Sequence, residues 1–182
     1  MTDAPSSHYT RAMSERAFAV RRATADDAAA LAELAAVTFT ETFGHLYPPE
    51  DLAAYLAATC SAAACRDMVS DARMAYWLVG EAPPVGFALA GYCKLPVDGL
   101  EPGAGELRQL YVRSTHQNRR LGARLFEAAL AWLEQRYAPL YIGVWSQNLG
   151  AQRFYRRYGF VKVGEYDFPV GKTIDREFIL KR

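Results

Sequence analysis

The segment from Gln117 to Ala123 has the composition of an anion-binding helix start. Two arginines and a leucine precede Gly122, and the segment follows an alternating apolar stretch, residues 106–112, that is typical of a strand. A helix that begins here would present backbone N–H groups without intrahelical partners, and its dipole would favour negative charge. The glycine would let a phosphate approach the backbone. The segment therefore predicts a phosphate site, although a basic loop whose glycine merely packs helix on sheet explains it equally well.

A second stretch, residues 148–160, places an amide and several aromatic side chains behind another apolar segment. Asn148 stands where that segment passes into a predicted helix, so its side chain could cap the helix or bind a ligand. The phenol of Tyr155 could donate a proton, although core packing is the commoner role of such aromatics. Glu106, at the start of 106–112, adds a carboxylate that could act as a base.

Periodicity and turn residues predict the elements that position these side chains. Strands are expected over residues 18–22, 75–79, 85–94, 106–112, 140–145, 160–166 and 173–180. Helices are expected over residues 24–43, from residue 48 onward, and over 121–137 and 149–158. The order is β-α-α-β-β-β-α-β-α-β-β, with a right-handed crossover between two parallel strands. It predicts a mixed α/β sheet with helices on both faces.

The two stretches together resemble the GNAT superfamily of N-acetyltransferases. Gln117 to Ala123 is similar to the family's Gln/Arg-x-x-Gly-x-Gly/Ala cofactor motif, and residues 148–160 are similar to its Asn-x-x-Ala-x-x-Phe-Tyr-x-x-x-Gly-Phe stretch. The resemblance covers residues 18–180. It departs from the motif at Arg120, which replaces the first glycine although arginine resists positive φ. The resemblance implies a mostly antiparallel twisted sheet of about seven strands, with a parallel pair at the cofactor site.

The resemblance also implies that acetyl-CoA is the co-substrate. Backbone groups of Leu110, Tyr111 and Val112 are expected to bind the acetyl-pantetheine arm along a strand edge opened by a bulge. Asn148 is expected to touch the pantetheine, and Tyr155 is expected to lie near the thioester sulfur. The residues whose backbone amides are expected to hold the pyrophosphate are Gln117, Asn118, Arg119, Arg120, Leu121, Gly122 and Ala123.

Direct attack by an amine in a ternary complex requires three chemical functions from such a site. The amine must lose a proton, because an alkyl ammonium has a pKa of about 10, and Glu106 acting through water is the expected base. The oxyanion needs a donor, for which a backbone N–H near Val112 is suited. The departing thiolate needs a proton, which Tyr155 could supply. Core packing for Tyr155 and a solvated or structural role for Glu106 are the alternatives.

The acceptor is expected to meet the segment between the first two helices, which usually lines the acceptor pocket in this superfamily. The candidate substrate-binding residues there are Phe39, Glu41, His45 and Tyr47. They combine aromatic rings, a carboxylate and an imidazole, which suit a cationic amine; packing at the helix ends is the alternative. Residues 143–148 and 168–175 resemble the bacterial spermidine/spermine N-acetyltransferase subgroup. A polyamine or another small primary amine is therefore the predicted acceptor.

Length and composition limit the classes of protein to which the chain can belong. The 182 residues, of which 51% are hydrophobic, indicate a single domain over residues 17–182 behind a disordered tail of residues 1–16. The net charge of +1 argues against a nucleic-acid binder. The three cysteines imply no disulfide framework. No apolar run reaches the ~18 residues of a membrane span, so a cytoplasmic protein is expected. No metal is expected either, because Cys60 and Cys65 lack the spacing of a zinc site and no His pair follows them.

Two other functions stay open on the sequence alone. A protein N-terminal or lysine acetyltransferase would need an open groove for a peptide, whereas a polyamine needs a narrower and acidic pocket. A non-catalytic CoA-binding regulator is disfavoured because Tyr155 and Glu106 are both present. Many members of the superfamily dimerise, so a homodimer also stays open.

Overall fold

A twisted sheet with helices on both faces forms the protein, whose computed structural model describes residues 18–182. The predicted tail of residues 1–16 lies outside the described residues. The strands are β1 (Val20–Arg22), β2 (Met74–Val79), β3 (Gly86–Tyr92), β4 (Gly105–Val112), β5 (Leu140–Trp145), β6 (Val161–Val170) and β7 (Thr173–Lys181). The helices are α1 (Ala28–Phe43), α2 (Pro49–Thr59), α3 (Ala62–Ser70), α4 (Leu121–Glu134) and α5 (Leu149–Arg157).

The sheet is mostly antiparallel, and its strands lie in the order β1-β2-β3-β4-β5-β7-β6. Strands β2 and β3 form a hairpin, as do β6 and β7. Strands β4 and β5 are parallel, and α4 lies in the connection between them. The predicted fold class is thereby confirmed, including the parallel pair at the centre of the sheet.

A third helix, α3, precedes β2, where the sequence pattern predicted none. It begins at Ser61, whose hydroxyl oxygen accepts the backbone N–H of Ala64 at 3.1 Å. Within this helix only Cys65 is buried. Because it is short and buries so little, its apolar periodicity is too weak to identify a helix.

The two faces of the sheet carry different helices. Helix α4 packs on one face through Leu121, Leu125, Phe126, Ala129 and Leu133. Ala128 and Trp132 of the same helix are only partly buried. Helix α1 covers the other face with Leu31 and Leu34, against the buried side chains of β2 and β3. The central strands are therefore enclosed from both sides.

Strands β4 and β5 pair only at their beginnings, over residues 105–107 and 140–142. A β-bulge lies on β4, because Leu89 of β3 pairs with Gln109 while Ala90 pairs with Leu107. Arg108 is the extra residue between these two pairs. A bulge bends its strand and shifts the alternation of its side chains. The bulge that the family resemblance implied is therefore present, and beyond it β4 and β5 no longer pair.

Candidate active site

The opening between β4 and β5 is a cleft of about 470 Å³. Its wall includes residues of both strands, of the start of α5 and of the loop before α4. On the side of α1 and α2 it is bordered by aromatic side chains, and two carboxylates, those of Glu106 and Glu177, also border it. The cleft therefore connects the predicted cofactor motifs with the predicted acceptor side.

The free edge of β4 presents backbone N–H groups to this cleft. The N–H of Arg113 donates to the carbonyl of Val85, the residue directly before β3, at 2.8 Å. Because hydrogen bonding alternates along an antiparallel pair, Tyr111 is likewise bonded to β3, whereas Leu110 and Val112 direct their N–H groups away from it. Strand β5 does not pair with that part of β4. Leu110 and Val112 are thus the two predicted pantetheine residues whose amides face the cleft.

The loop before α4 has the backbone of an anion site. Asn118 and Arg120 both adopt the left-handed region, with φ of 62° and 60°. The first intrahelical hydrogen bond of α4 runs from the Arg124 N–H to the Arg120 carbonyl at 3.1 Å. The preceding N–H groups, those of Leu121, Gly122 and Ala123, therefore have no intrahelical acceptor. Arg120 keeps the conformation of the glycine that it replaces.

Gly122 leaves open space at the start of α4. A Cβ atom on this residue would meet a single side-chain atom, Cγ2 of Val112, at 3.9 Å. Packing of the helix on the sheet therefore does not require glycine here. The free space beside unpaired N–H groups allows an anion such as a phosphate to approach the backbone closely.

Two clusters of arginines lie near this helix start. Arg119, Arg120 and Arg124 are exposed around it, and Arg153, Arg156 and Arg157 belong to α5. The positive charges of Arg157 and Arg120 both act on the Tyr158 phenol, so the clusters adjoin. Together they supply positive charge for a compact polyanion such as the phosphates of CoA.

Gln117 and Asn148 fix the ends of the two strands. The Gln117 Nε2 donates to the Val112 carbonyl at 3.1 Å, which ties the loop to β4. The Asn148 Oδ1 accepts the Ala151 N–H at 3.0 Å and so caps α5. Both residues border the cleft. Asn148 therefore has the capping role, and within residues 18–182 its Nδ2 donates to no protein acceptor.

Tyr155 is almost buried among aromatic rings of the α4 and α5 layer, with 7% of its surface exposed. Its ring lies 5.6 Å from that of Phe126 and 5.4 Å from that of Phe154. It also borders the cleft. Burial, followed by the negative charge of Glu177, raises the pKa of the Tyr155 phenol. The phenol therefore stays protonated at neutral pH, as a proton donor must.

Glu106 is buried, and its carboxylate is occupied by the protein itself. Its Oε2 accepts the backbone N–H of Lys94 at 2.7 Å and lies 3.9 Å from the Arg108 Nε. Burial raises its pKa, while the Lys94 and Leu95 backbone and the Arg108 charge act in the opposite direction. The carboxylate is held in place by these groups, and it borders the cleft.

Two of the predicted substrate residues, Phe39 and Tyr47, lie in the cleft wall. The ring of Phe39 stacks on Tyr47 and Tyr55, with centroids 6.1 Å and 4.6 Å away. The Tyr47 hydroxyl donates to the Asp175 carboxylate of β7. These contacts form an aromatic wall that ends in a carboxylate.

The other two, Glu41 and His45, are not brought to the cleft. Glu41 follows Phe39 by two residues, which turns it about 200° around α1. Its carboxylate accepts the Arg113 Nε–H at 2.9 Å and the Ser114 N–H at 2.8 Å. His45 is exposed and does not border the cleft. The predicted contact of Glu41 and His45 with the acceptor is thus not supported by their positions.

Sequence reasoning missed Glu177 of β7, which borders the cleft. Strand register places it beside Trp145 of β5 and Tyr166 of β6. Burial, followed by the charge on Asp175, raises its pKa to about 7, although a hydrogen bond from Tyr166 lowers it. A carboxylate directly before the apolar run of residues 178–180 is the signal that could have drawn attention to it.

Within residues 18–182, no helix combines the length and the apolar character that a membrane crossing requires. The same part of the chain contains no group of three His, Cys, Asp or Glu side chains arranged to hold a metal ion.

Comparison with known proteins identifies relatives. The family described as Acetyltransferase (GNAT) family matches residues 28–160. An uncharacterized N-acetyltransferase in the pepI 3' region of Lactobacillus delbrueckii subsp. lactis is 31% identical over 151 residues, which are 80% of this chain and 85% of that protein. The spermine/spermidine N(1)-acetyltransferase of Bacillus subtilis is 28% identical over 99 residues, 53% of this chain and 65% of that protein. The crystal structure of a PaiA N-acetyltransferase from Thermoplasma acidophilum in complex with coenzyme A has a TM-score of 0.70 at 18% identity, covering 91% of this chain and 98% of that one.

Proposed function

The chain belongs to the GNAT family and is an acetyl-CoA-dependent N-acetyltransferase, and we propose that its acceptor is a small cationic amine, with a polyamine as the leading candidate. The observation that carries the proposal is the Glu177 carboxylate, which borders the cleft among aromatic rings, while Asp175 accepts a hydrogen bond from Tyr47 of the cleft wall. Carboxylates attract an ammonium, and ring faces stabilise it further. The relative from Bacillus subtilis that is named for spermine and spermidine supports the same class of acceptor.

The balance of charge in the cleft favours a cation beside Glu177. Arg108 lies beside Glu106 and compensates its charge. Among the described residues, no lysine or arginine compensates Glu177, and the neighbouring Asp175 adds a second negative charge. An ammonium would therefore gain more at Glu177 and Asp175 than at Glu106.

Backbone N–H groups and one side-chain amide at the cleft would hold acetyl-CoA. The amides of Leu110 and Val112 would bind its pantetheine arm, residues 117–123 its pyrophosphate, and the Asn148 Nδ2 a polar atom between them. Bound acetyl-CoA supplies an activated acetyl thioester at the end of that arm. Val112 could also donate its N–H to a developing oxyanion, because β5 leaves that group unpaired.

Tyr155 is proposed as the proton donor for the leaving group. Burial keeps its phenol protonated, and its position beside Asn148 and Ala151 in the cleft wall is compatible with that role. Glu106, the base predicted from the sequence to act through water, has one of its carboxylate oxygens, Oε2, occupied by the Lys94 N–H.

A panel of acceptors tests the proposed function. The kcat/KM for acetylation would be compared for spermidine, 1,4-diaminobutane, butylamine, and peptides with a free N-terminus or a lysine. The diamine and spermidine should exceed butylamine by about tenfold or more, since a second ammonium can pair with a carboxylate. A preference for either peptide would contradict the proposal and favour a protein acetyltransferase. Tight CoA binding without turnover of any acceptor would favour a non-catalytic CoA-binding regulator.

A further inference from the structure

We propose that Glu177, and not Glu106, is the residue that takes the proton from the acceptor's ammonium group. The inference rests on the proposed function, since it concerns the base of the same reaction. It assigns a catalytic residue on β7, which lies outside both motifs that the sequence singled out.

The Glu177 carboxylate lies against the sheet at a point where β5 has a glycine. Gly143 of β5 has no side chain, and the position of its missing Cβ is 3.0 Å from the Tyr166 hydroxyl and 3.6 Å from Glu177 Oε2. A larger residue at 143 would displace Tyr166. The glycine therefore allows both the phenol and the carboxylate to lie against the sheet beside the free edge of β5.

Glu177 and the proposed acid, Tyr155, act on each other electrostatically. After burial itself, the charge on Glu177 is the next cause that raises the pKa of Tyr155. Both side chains border the cleft, one from β7 and the other from α5. A base and an acid on different walls of the cleft suit a reaction that removes a proton from nitrogen and delivers one to sulfur.

The groups that face Glu177 are acids and phenols. Those of the neighbouring elements are Asp175 on β7, Tyr166 on β6, Tyr155 on α5, Tyr111 on β4, Tyr55 on α2 and Tyr47 after α1. Within residues 18–182, no backbone N–H and no cation stabilises the ionised form of Glu177. Burial therefore dominates and holds its pKa at about 7. A carboxylate of that pKa is partly ionised at neutral pH and accepts a proton readily.

Glu106 differs from Glu177 in its partners, although burial raises its pKa as well. Its Oε2 already accepts the Lys94 N–H at 2.7 Å, and Arg108 lies 3.9 Å away. These partners stabilise its negative charge and oppose the rise in its pKa that burial causes. They also anchor the start of the loop that follows β3, which is a structural role for this carboxylate.

The proposed step conserves atoms and charge. An N–H bond of the acceptor's ammonium breaks, its electron pair stays on nitrogen, and the proton binds an oxygen of the Glu177 carboxylate. The products are a neutral amine, ready to attack, and a neutral carboxylic acid. The acid then returns its proton to water, so Glu177 is regenerated without another reactant.

The pH dependence of kcat/KM tests this assignment. With spermidine as the acceptor, the parent should lose activity as pH falls through about 7, because Glu177 becomes protonated. Glu177→Gln should lose this limb, and its kcat/KM at pH 7.5 should fall by about 10²-fold or more. Glu165→Gln is the matched control, since Glu165 lies on the adjacent strand, does not border the cleft and pairs with Lys162 at 2.8 Å. It should retain both the rate and the profile.

Two further measurements keep the assignment falsifiable. Glu106→Gln should retain the limb near pH 7 even where its rate falls, and loss of that limb in Glu106→Gln alone would overturn the inference. Carbon-13 NMR of the glutamate carboxyl groups in the free protein should show one titration with a midpoint at about 7 that disappears in Glu177→Gln. A normal midpoint for Glu177, or a variant within about threefold of the parent, would also overturn it. Failure of the parent to acetylate any amine would instead overturn the proposed function, and this inference with it.

Discussion

Arg120 holds a left-handed backbone conformation, with φ 60° and ψ 11°, where the family's motif has a glycine. That conformation costs a residue with a side chain about 1 kcal/mol or more. The side chain is exposed at the start of α4, beside N–H groups that have no intrahelical acceptor. Binding of a phosphate by the guanidinium would compensate the free-energy cost of this conformation.

Replacing Arg120 by glycine should separate strain from charge. We expect Arg120→Gly to raise the free energy of unfolding by about 0.5–1 kcal/mol, since glycine adopts this conformation freely. The affinity for CoA should fall by about threefold to fivefold, because one cation near the phosphates is lost. Urea unfolding and calorimetric titration would measure the two effects. Arg120→Lys is the control that keeps the charge, and tighter CoA binding by Arg120→Gly would show that the arginine is a hindrance.

The Tyr155 hydroxyl can be removed with little change in packing. Among the described residues it makes no hydrogen bond that contributes to its pKa. Tyr155→Phe should therefore leave the free energy of unfolding within about 0.5 kcal/mol of the parent while kcat falls by about 10²-fold or more. Tyr158→Phe on the same helix is the control, since that hydroxyl donates to Glu127 at 2.8 Å and lies outside the cleft. Near-normal turnover of a folded Tyr155→Phe would exclude the proposed acid.

At the scale of elements, Glu41 joins α1 to the turn that follows β4. Both of its carboxylate oxygens are used, by Arg113 and by the Ser114 N–H. Burial of the carboxylate raises its pKa. The hydrogen bonds together lower the pKa by more, so it lies below its usual value. Because that turn leads into residues 117–123, the contact positions the phosphate loop and not the acceptor.

Glu41→Gln should accordingly affect the two substrates differently. The KM for acetyl-CoA should rise by about threefold to fivefold, as expected for an ion pair worth at most ~1 kcal/mol, while the KM for the amine stays unchanged. Steady-state kinetics with each substrate varied in turn would measure both. Glu33→Gln, at an exposed position on the same helix, is the control. A rise in the amine KM alone would restore Glu41 to the acceptor pocket.

The predicted and the observed elements differ where contacts between distant parts of the chain determine the structure. The strand-loop-helix around Gln117 and the helix that carries Tyr155 could be predicted, because their turn residues and periodicity are local signals. Helix α3 has no such signal. Glu177 could not be assigned to the site either, because its neighbours depend on β7 lying between β5 and β6. Nothing local to residues 173–181 specifies that order.

At the scale of the whole molecule, Glu177 makes stability depend on pH. Its pKa is about 7 in the folded protein and about 4.3 in an unfolded chain, so between these values the folded state binds more protons. Stability is therefore greatest below the unfolded pKa and is lost as pH rises through about 7. The buried charge that suits a base thus weakens the fold at neutral pH.

Glu177→Gln should remove that loss. At pH 8 the variant should be more stable than the parent by about 1–2 kcal/mol, a value reduced from the full pKa shift because the side chain is only partly buried. At pH 4 the two should agree within about 0.5 kcal/mol. Urea unfolding at both pH values measures the difference, and a constant offset between parent and variant would contradict it.

Covalent transfer through Cys65 or Cys93 is disfavoured, and Cys60, the other cysteine of the described residues, does not border the cleft. Cys65 and Cys93 are buried, and burial raises the pKa of both thiols, that of Cys93 to about 11. Thiols of this kind are protonated at neutral pH and are poor nucleophiles. The cleft instead adjoins both predicted substrate sites, which supports direct attack by the amine.

The initial rate of thiol release, with acetyl-CoA and spermidine both varied, tests this account most directly. We expect release that requires the amine, acetylspermidine as the product, and double-reciprocal lines that intersect, because both substrates must occupy the cleft together. Parallel lines with an acetylated protein, or no release with any amine despite tight CoA binding, would contradict it.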